Sequence, residues 1–215
     1  MKAQLRITGI YDQRTIQLLN ENKIYSLGLD LRPRSLNFVQ SYRLVEMLSK
    51  QQLGEVYLHF ENEKEFIIQD IIDKVRAVYG GKLILEFSDS LNKEFYDQFN
   101  LPYILKFDPY RGDLVNCCGE NFSGFVFDYD HLETIHQRGL FDKWVGEYYR
   151  SISFLDKQIK HTLNRGWKSD IFPSLYEFLD FDYVSLCISS EVEVCFRNVD
   201  LKLFKEQVDY IRKHN

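Results

Sequence analysis

Short apolar runs alternate with segments of helical period along this chain. The first run is AQLRITGI, followed by the helical pattern QRTIQLLNEN. YSLGLDL and VQSYRLVEMLSK come next, then EVYLHF and EFIIQDIIDKVRAVY. In that third helix Phe66, Ile67, Asp70, Ile71 and Lys74 mark a helical repeat, and Ile71, Val75 and Val78 extend its apolar face. KLILEF precedes the helix NKEFYDQF, and PYILKF is a fifth strand with a loop after it. GFVFDYD is a sixth, followed by a long polar and aromatic stretch. The seventh strand falls in QIKHTLNRGW by position, although this segment is more polar than the others. Helix SDIFPSLYEFL follows, with Pro173 in its first turn and Ser169 or Asp170 at its N-cap. YVSLCIS is the eighth strand, and DLKLFKEQVDYIRK is the last helix, capped by Asp200.

Strands alternating with helices at this repeat predict a parallel sheet. A chain of 215 residues can close it into a (β/α)8 TIM barrel or leave it open and doubly wound. No Gly-x-Gly-x-x-Gly follows the first strand and no phosphate-loop lysine signature occurs, so the barrel is favoured. With 45% hydrophobic residues the chain can fill one sizeable core, and a single domain over residues 1–215 is expected.

Charge and cysteines narrow the partners. The net charge of -5 weighs against nucleic acid, whose phosphates need a basic face. No run approaches the roughly 18 to 20 apolar residues that span a bilayer, and MKAQLRITGIYD does not read as a signal peptide. No membrane contact is therefore expected, and a cytoplasmic location is. Cys117, Cys118, Cys187 and Cys195 form no Cys-x-x-Cys pair and read as reduced thiols, so no structural metal is expected.

Three stretches resemble one family. LRITGI (Leu5 to Ile10) is similar to the KICGL opening strand of the phosphoribosylanthranilate isomerases of tryptophan biosynthesis. GLDLRPRSLNFV (Gly28 to Val39) aligns without gaps on that family's GFIFYPKSPRYV, and SSEVEVCFRNVD (Ser189 to Asp200) on its SSGVESAPGVKD. The sixth strand, FVFDY, resembles its LLLDS. The resemblance implies a (β/α)8 barrel and an Amadori rearrangement of a ribosylamine to a ketose, without metal or cofactor. In the family a cysteine ending strand one is the general base and an aspartate ending strand six the general acid. Asp128 matches the aspartate, with Asp130 two residues on, whereas Thr8 stands where the cysteine would be. A threonine hydroxyl has no accessible pKa near neutrality and needs a partner to act as a base.

The resemblance places substrate contacts at Arg32, Arg34, Asn37, Gly139, Gly166, Ser190, Glu191 and Arg197. Asn37 replaces the arginine that holds the anthranilate carboxylate, and Arg32 and Arg34 are nearby substitutes. Glu191 replaces a glycine of the phosphate grip, where backbone N–H groups close round the anion. Arg197 replaces another such glycine, and either binds a phosphate in its own manner or pairs with Glu191 or Glu193. Gly139 and Gly166 are what remains of the glycine-rich loops after strands six and seven.

Other constellations read as ordinary structure. His131 and His136 follow strand six and are solvated loop histidines by default, with a metal or acid–base role as the alternative. Asp128, Asp130 and Glu133 are a hard-cation alternative. The turn Asn116 to Gly119 lacks a base beside its cysteines, and the stripe Glu147 to Phe154 reads as helix-to-barrel packing. Base, guanidinium clamp and most of the phosphate grip are lost together. The expectation is a barrel that has lost the isomerase activity and binds a small anionic or phosphorylated ligand or a partner, as monomer or homodimer. The alternative is an active aldose–ketose isomerase with displaced residues.

Overall fold

The eight apolar runs become eight parallel strands. A computed structural model describes residues 3–51, 54–89, 91–108 and 114–214. The strands are β1 (Gln4–Thr8), β2 (Ser26–Asp30), β3 (Glu55–Phe60), β4 (Lys82–Phe87), β5 (Tyr103–Lys106), β6 (Phe122–Asp128), β7 (Lys160–Arg165) and β8 (Tyr183–Cys187). They pair in chain order, and β8 pairs back onto β1, closing the (β/α)8 barrel. The helices are α1 (Gln13–Glu21), α2 (Ser41–Leu48), α3 (Glu65–Arg76), α4 (Lys93–Asp97), α5 (Tyr129–Gln137), α6 (Phe141–Ser151), α7 (Leu175–Phe178) and α8 (Leu201–His214). After β5 the described residues hold only a 3-10 turn at Leu114–Asn116, in keeping with the loop expected there.

Strand alternation splits the apolar side chains into two sets. Outward positions such as Leu27, Leu29, Leu58, Leu85 and Leu186 are fully buried against the helices. Tyr57, Ile84, Ile104 and Val126 form a separate small cluster that fills the lumen. Below it Glu55 accepts a 2.7 Å hydrogen bond from the Tyr183 hydroxyl and pairs with Lys82, a polar plug at the barrel floor. The stripe of α6 packs as expected at Tyr148, whose ring meets Phe127 at 5.2 Å.

The polar seventh strand is real because its polar groups find partners. His161 contacts the Tyr148 hydroxyl at 2.7 Å through Nε2 and the Asp180 carbonyl at 3.0 Å through Nδ1. Asp200 caps α8, accepting from the N–H groups of Lys202 and Leu203 at 3.0 Å.

Two helices differ from expectation. The buried face of α3 is Ile68, Ile71, Ile72 and Val75, while Phe66 and Ile67 are exposed, so the stripe is rotated from the predicted one. Helix α7 starts only at Leu175, leaving Pro173, Ser169 and Asp170 outside it. The carbonyls of Ser169 and Asp170 are taken by the Arg165 guanidinium and the Tyr129 hydroxyl, so that stretch runs as a loop. Where the phosphate turn was expected before α8, the chain folds into a hairpin of β9 (Glu193–Cys195) and β10 (Asn198–Val199).

Candidate functional site

Parallel closure brings the C-terminal ends of all eight strands to one face, where barrels hold their sites. There a cavity of about 190 Å³ opens, and every strand from β1 to β8 contributes to its lining. Register decides who meets whom. Asp30 pairs with His59 and His59 with Glu86, a polar row across β2, β3 and β4. Thr8 pairs with Cys187 across the β1–β8 seam. Gly28 leaves room for Thr8, since a Cβ there would stand 2.5 Å from the threonine Cγ2.

Three cations and three carboxylates line the mouth among the described residues: Arg6, Arg32 and Lys106 against Asp30, Glu86 and Asp128. They form three pairs of different quality. Arg32 grips Asp30 bidentately at 2.9 and 2.6 Å. Burial pushes the Asp30 carboxyl up, but the hydrogen bonds from Arg32 and Ser35 and the charges nearby outweigh it and hold it below its ordinary value. Arg6 Nη1 lies 3.0 Å from Glu86 Oε2, both side chains nearly water-free, yet Nη1 makes no hydrogen bond of acceptable geometry. Arg6 Nε donates to the Ser185 hydroxyl at 3.2 Å, and the guanidinium stacks 4.6 Å above the Tyr57 ring. Glu86 is likewise pushed up by burial and pulled lower still by Arg6, His59 and Arg32. Lys106 Nζ stands 3.5 Å from Asp128 Oδ2, with both groups partly open to solvent.

His59 is the mouth's histidine. Burial lowers its pKa against the pull of Glu86, so the imidazole is neutral at neutral pH. Its Nε2 contacts the Ser88 hydroxyl at 2.6 Å. Cys187 is open to the mouth, yet the protein mass around it raises its pKa by desolvation, only partly offset by Thr8 and Asn37.

The sequence-predicted residues divide. Asp128, Thr8 and Arg32 line the mouth. Asp128 has two tasks, since its Oδ1 also caps α5 by accepting from the Asp130 N–H at 3.2 Å. The strand ends at Asp128, so Asp130 lies on α5, exposed and outside the mouth lining. Asn37 is buried and donates to the Ile188 carbonyl at 2.8 Å, tying the loop after β2 to the end of β8 rather than presenting an amide to a ligand. Arg34 and Ser190 are exposed and line no part of the mouth.

Two of the remaining predicted residues have local structural work. Gly139 ends α5 with φ +69°, its N–H bonding the His136 carbonyl at 2.8 Å while Leu140 N–H reaches Ile135 at 3.1 Å. That is a Schellman stop, which needs a left-handed residue, and Gly139 is not among the residues that line the mouth. Arg197 forms no ion pair with Glu191 or Glu193. Its backbone N–H bonds Glu193 at 3.1 Å, and its guanidinium bonds the Phe38 carbonyl at 2.9 Å, bracing the hairpin against the loop before α2. Gly166 does lie beside Glu191. The carboxylate Oε2 accepts from the Trp167 N–H at 3.4 Å and stands 3.7 Å from where a Gly166 Cβ would be.

Sequence reasoning passed over Arg6, His59, Glu86, Lys106 and Cys187 as site residues. Each is a polar residue at an inward position of an apolar strand, and that phase was the signal available. The histidines weighed instead, His131 and His136, do not line the mouth, and His136 stacks on Phe172 at 4.1 Å. Cys117 and Cys118 are buried outside it, and no group of three metal-ligating side chains occurs among the described residues. A larger cleft of about 510 Å³ lies between the start of α1 and α2, but its charges, such as the Arg43–Glu46 pair, are solvated helix-surface groups. No helix among the described residues is long and apolar enough to cross a membrane.

No protein-family model matches the chain, and no curated protein matches its sequence. Solved structures do. The phosphoribosylanthranilate isomerase of Thermotoga maritima is similar over 98% of this chain and 99% of its own, with TM-score 0.65 and 13% identity. TrpF from Jonesia denitrificans matches over 98% and 97%, with TM-score 0.68 and 10% identity. The isomerase of Thermus thermophilus matches over 97% and 99%, with TM-score 0.63 and 12% identity. At such identities the likeness is one of fold.

Proposed function

We propose that this barrel does not carry out the ribosylamine-to-ketose rearrangement, and that its mouth binds a small, unphosphorylated polar molecule. Glu191 carries the reading. Where the resemblance puts a phosphate, beside Gly166, the chain sets its own carboxylate against the Trp167 N–H at 3.4 Å. A phosphate about 5 Å away would meet repulsion of roughly 3 kcal/mol per unit charge at an effective dielectric of about 20, less where water screens it.

Three features support this. Thr8 Oγ1 donates to the Leu186 carbonyl at 3.5 Å, and a backbone carbonyl is no base to activate it. Asn37 is committed to a structural hydrogen bond, so the carboxylate clamp is gone. No Phe, Tyr or Trp lines the mouth among the described residues, which leaves only the His59 imidazole to stack on an anthranilate ring. The test mixes purified protein with phosphoribosylanthranilate and follows the loss of anthranilate-type fluorescence. The expected result is no turnover above buffer. Turnover abolished by Asp128→Asn would overturn the proposal.

One observation favours a second reading, an isomerase with a displaced base. Cys187 stands in register with Thr8 and opens into the same mouth as Asp128. Its raised pKa leaves little thiolate at neutral pH, which counts against it. Turnover that grows with pH and vanishes in Cys187→Ser would establish this reading instead.

A further inference from the structure

We infer that the molecule taken by the mouth is a small zwitterion, of the α-amino-acid class. This rests on the reading of the mouth as a site for an unphosphorylated ligand. The mouth is balanced, three cations facing three carboxylates, so it offers no net attraction to a polyanion. The three pairs are not equally closed. Arg32 and Asp30 satisfy each other with two short hydrogen bonds. The other two pairs keep unspent capacity.

Arg6 is the stronger observation. It is 1% exposed, lines the cavity, and its Nη1, although 3.0 Å from Glu86 Oε2 in an ion pair, is poorly aligned to hydrogen-bond that carboxylate. A buried guanidinium N–H held to its carboxylate by charge more than by alignment still has a hydrogen bond to give, and a carboxylate oxygen is the acceptor it binds best. Higher in the same cavity, Lys106 and Asp128 sit 3.5 Å apart and are both within reach of solvent. A ligand carboxylate directed at Arg6 and Lys106, with its ammonium at Asp128 and Glu86, gives each charge an opposite partner and keeps the mouth neutral. A carboxylate or an amine alone leaves one sign uncompensated in a site partly removed from water. The cavity of about 190 Å³ restricts the side chain to a small one.

The experiment is calorimetric titration of the full chain with L-amino acids up to the size of glutamine. For each, the matched hydroxy acid and the matched amine lacking the carboxylate are also titrated, and ribose 5-phosphate is the phosphorylated control. At least one amino acid is expected to bind saturably, and its two counterparts about tenfold or more weaker. Lys106→Met and Asp128→Asn should each weaken binding by about tenfold, and Arg6→Met should abolish it. If Arg6→Met does not fold, the two mouth-rim variants decide alone, because their side chains are partly exposed. No binding by any amino acid at millimolar concentration, equal binding of the counterparts, or indifference to Lys106→Met would overturn the inference. Saturable binding of ribose 5-phosphate, or turnover of phosphoribosylanthranilate, would instead overturn the reading beneath it.

Discussion

Replacing Arg6 with Met tests the electrostatic plan of the lumen. The Arg6 guanidinium and Glu86 carboxylate are 3.0 Å apart, with side chains 1% and 7% exposed. At that distance and an effective dielectric of about 20, their attraction is roughly 5 to 6 kcal/mol, set against the cost of taking both from water. Removing one partner leaves the other charged and unpaired, which costs about 3 to 5 kcal/mol. Arg32 still acts on Glu86, so a loss near 3 kcal/mol is expected at pH 7. The pH dependence has a definite sign. In the native chain the Glu86 carboxyl is held low, so its contribution is present above the unfolded carboxyl range and fades as pH falls through the folded pKa. Without Arg6, burial has its way and the pKa rises; the penalty is then full at neutral pH and shrinks as acid protonates the folded state. Urea unfolding followed by tryptophan fluorescence at pH 7 and pH 5, with Arg6→Met/Glu86→Gln as the paired variant, measures this. The double variant should regain at least half of the loss at pH 7. A cost below about 1 kcal/mol at pH 7, the same cost at both pH values, or no recovery would refute the argument.

Glu191→Gly removes the internal carboxylate, so the Trp167 N–H becomes available and inorganic phosphate should bind where it did not before, with stability lowered by about 1 kcal/mol; calorimetry and unfolding curves check both. Gly139→Ala should cost about 1 kcal/mol in thermal or urea unfolding, because φ +69° strains any residue with a Cβ. Iodoacetamide labelling of Cys187, read by mass spectrometry, should be slow at pH 7 and accelerate above the ordinary thiol range, since desolvation raises its pKa. His59, buried and neutral, should make the fold less stable as pH falls below about 6.5, where the unfolded chain takes up the proton more readily, and His59→Gln should flatten that slope.

Much of the architecture is written locally. Leu27 and Leu29, or Leu83 and Leu85, announce strands by period and β-propensity, and Asp200 announces a helix start by its own capping bonds. The alternation repeats often enough to call for a parallel sheet, while its closure came from the pairing of β8 with β1. Strand β7 was the faint case, because KHTLNR reads as a strand only when Tyr148 and Asp180 arrive to satisfy His161.

The lining of the mouth was legible at recognisable strand ends, as at Thr8 and Asp128. It was misread where a glycine or arginine had local work to do, as in the helix stop at Gly139 and the hairpin brace of Arg197. The inward polar positions Arg6, His59, Glu86 and Lys106 carried a signal in their phase, but not their partners. Their pairing depends on register and closure: Asp30, His59 and Glu86 become neighbours only because three strands align. The sequence by itself determined which side chains face the lumen, because a strand's alternation is a property of consecutive residues. Only the closed barrel decided which of those charges neutralise one another, because Coulomb attraction and desolvation depend on distances between residues far apart in the chain.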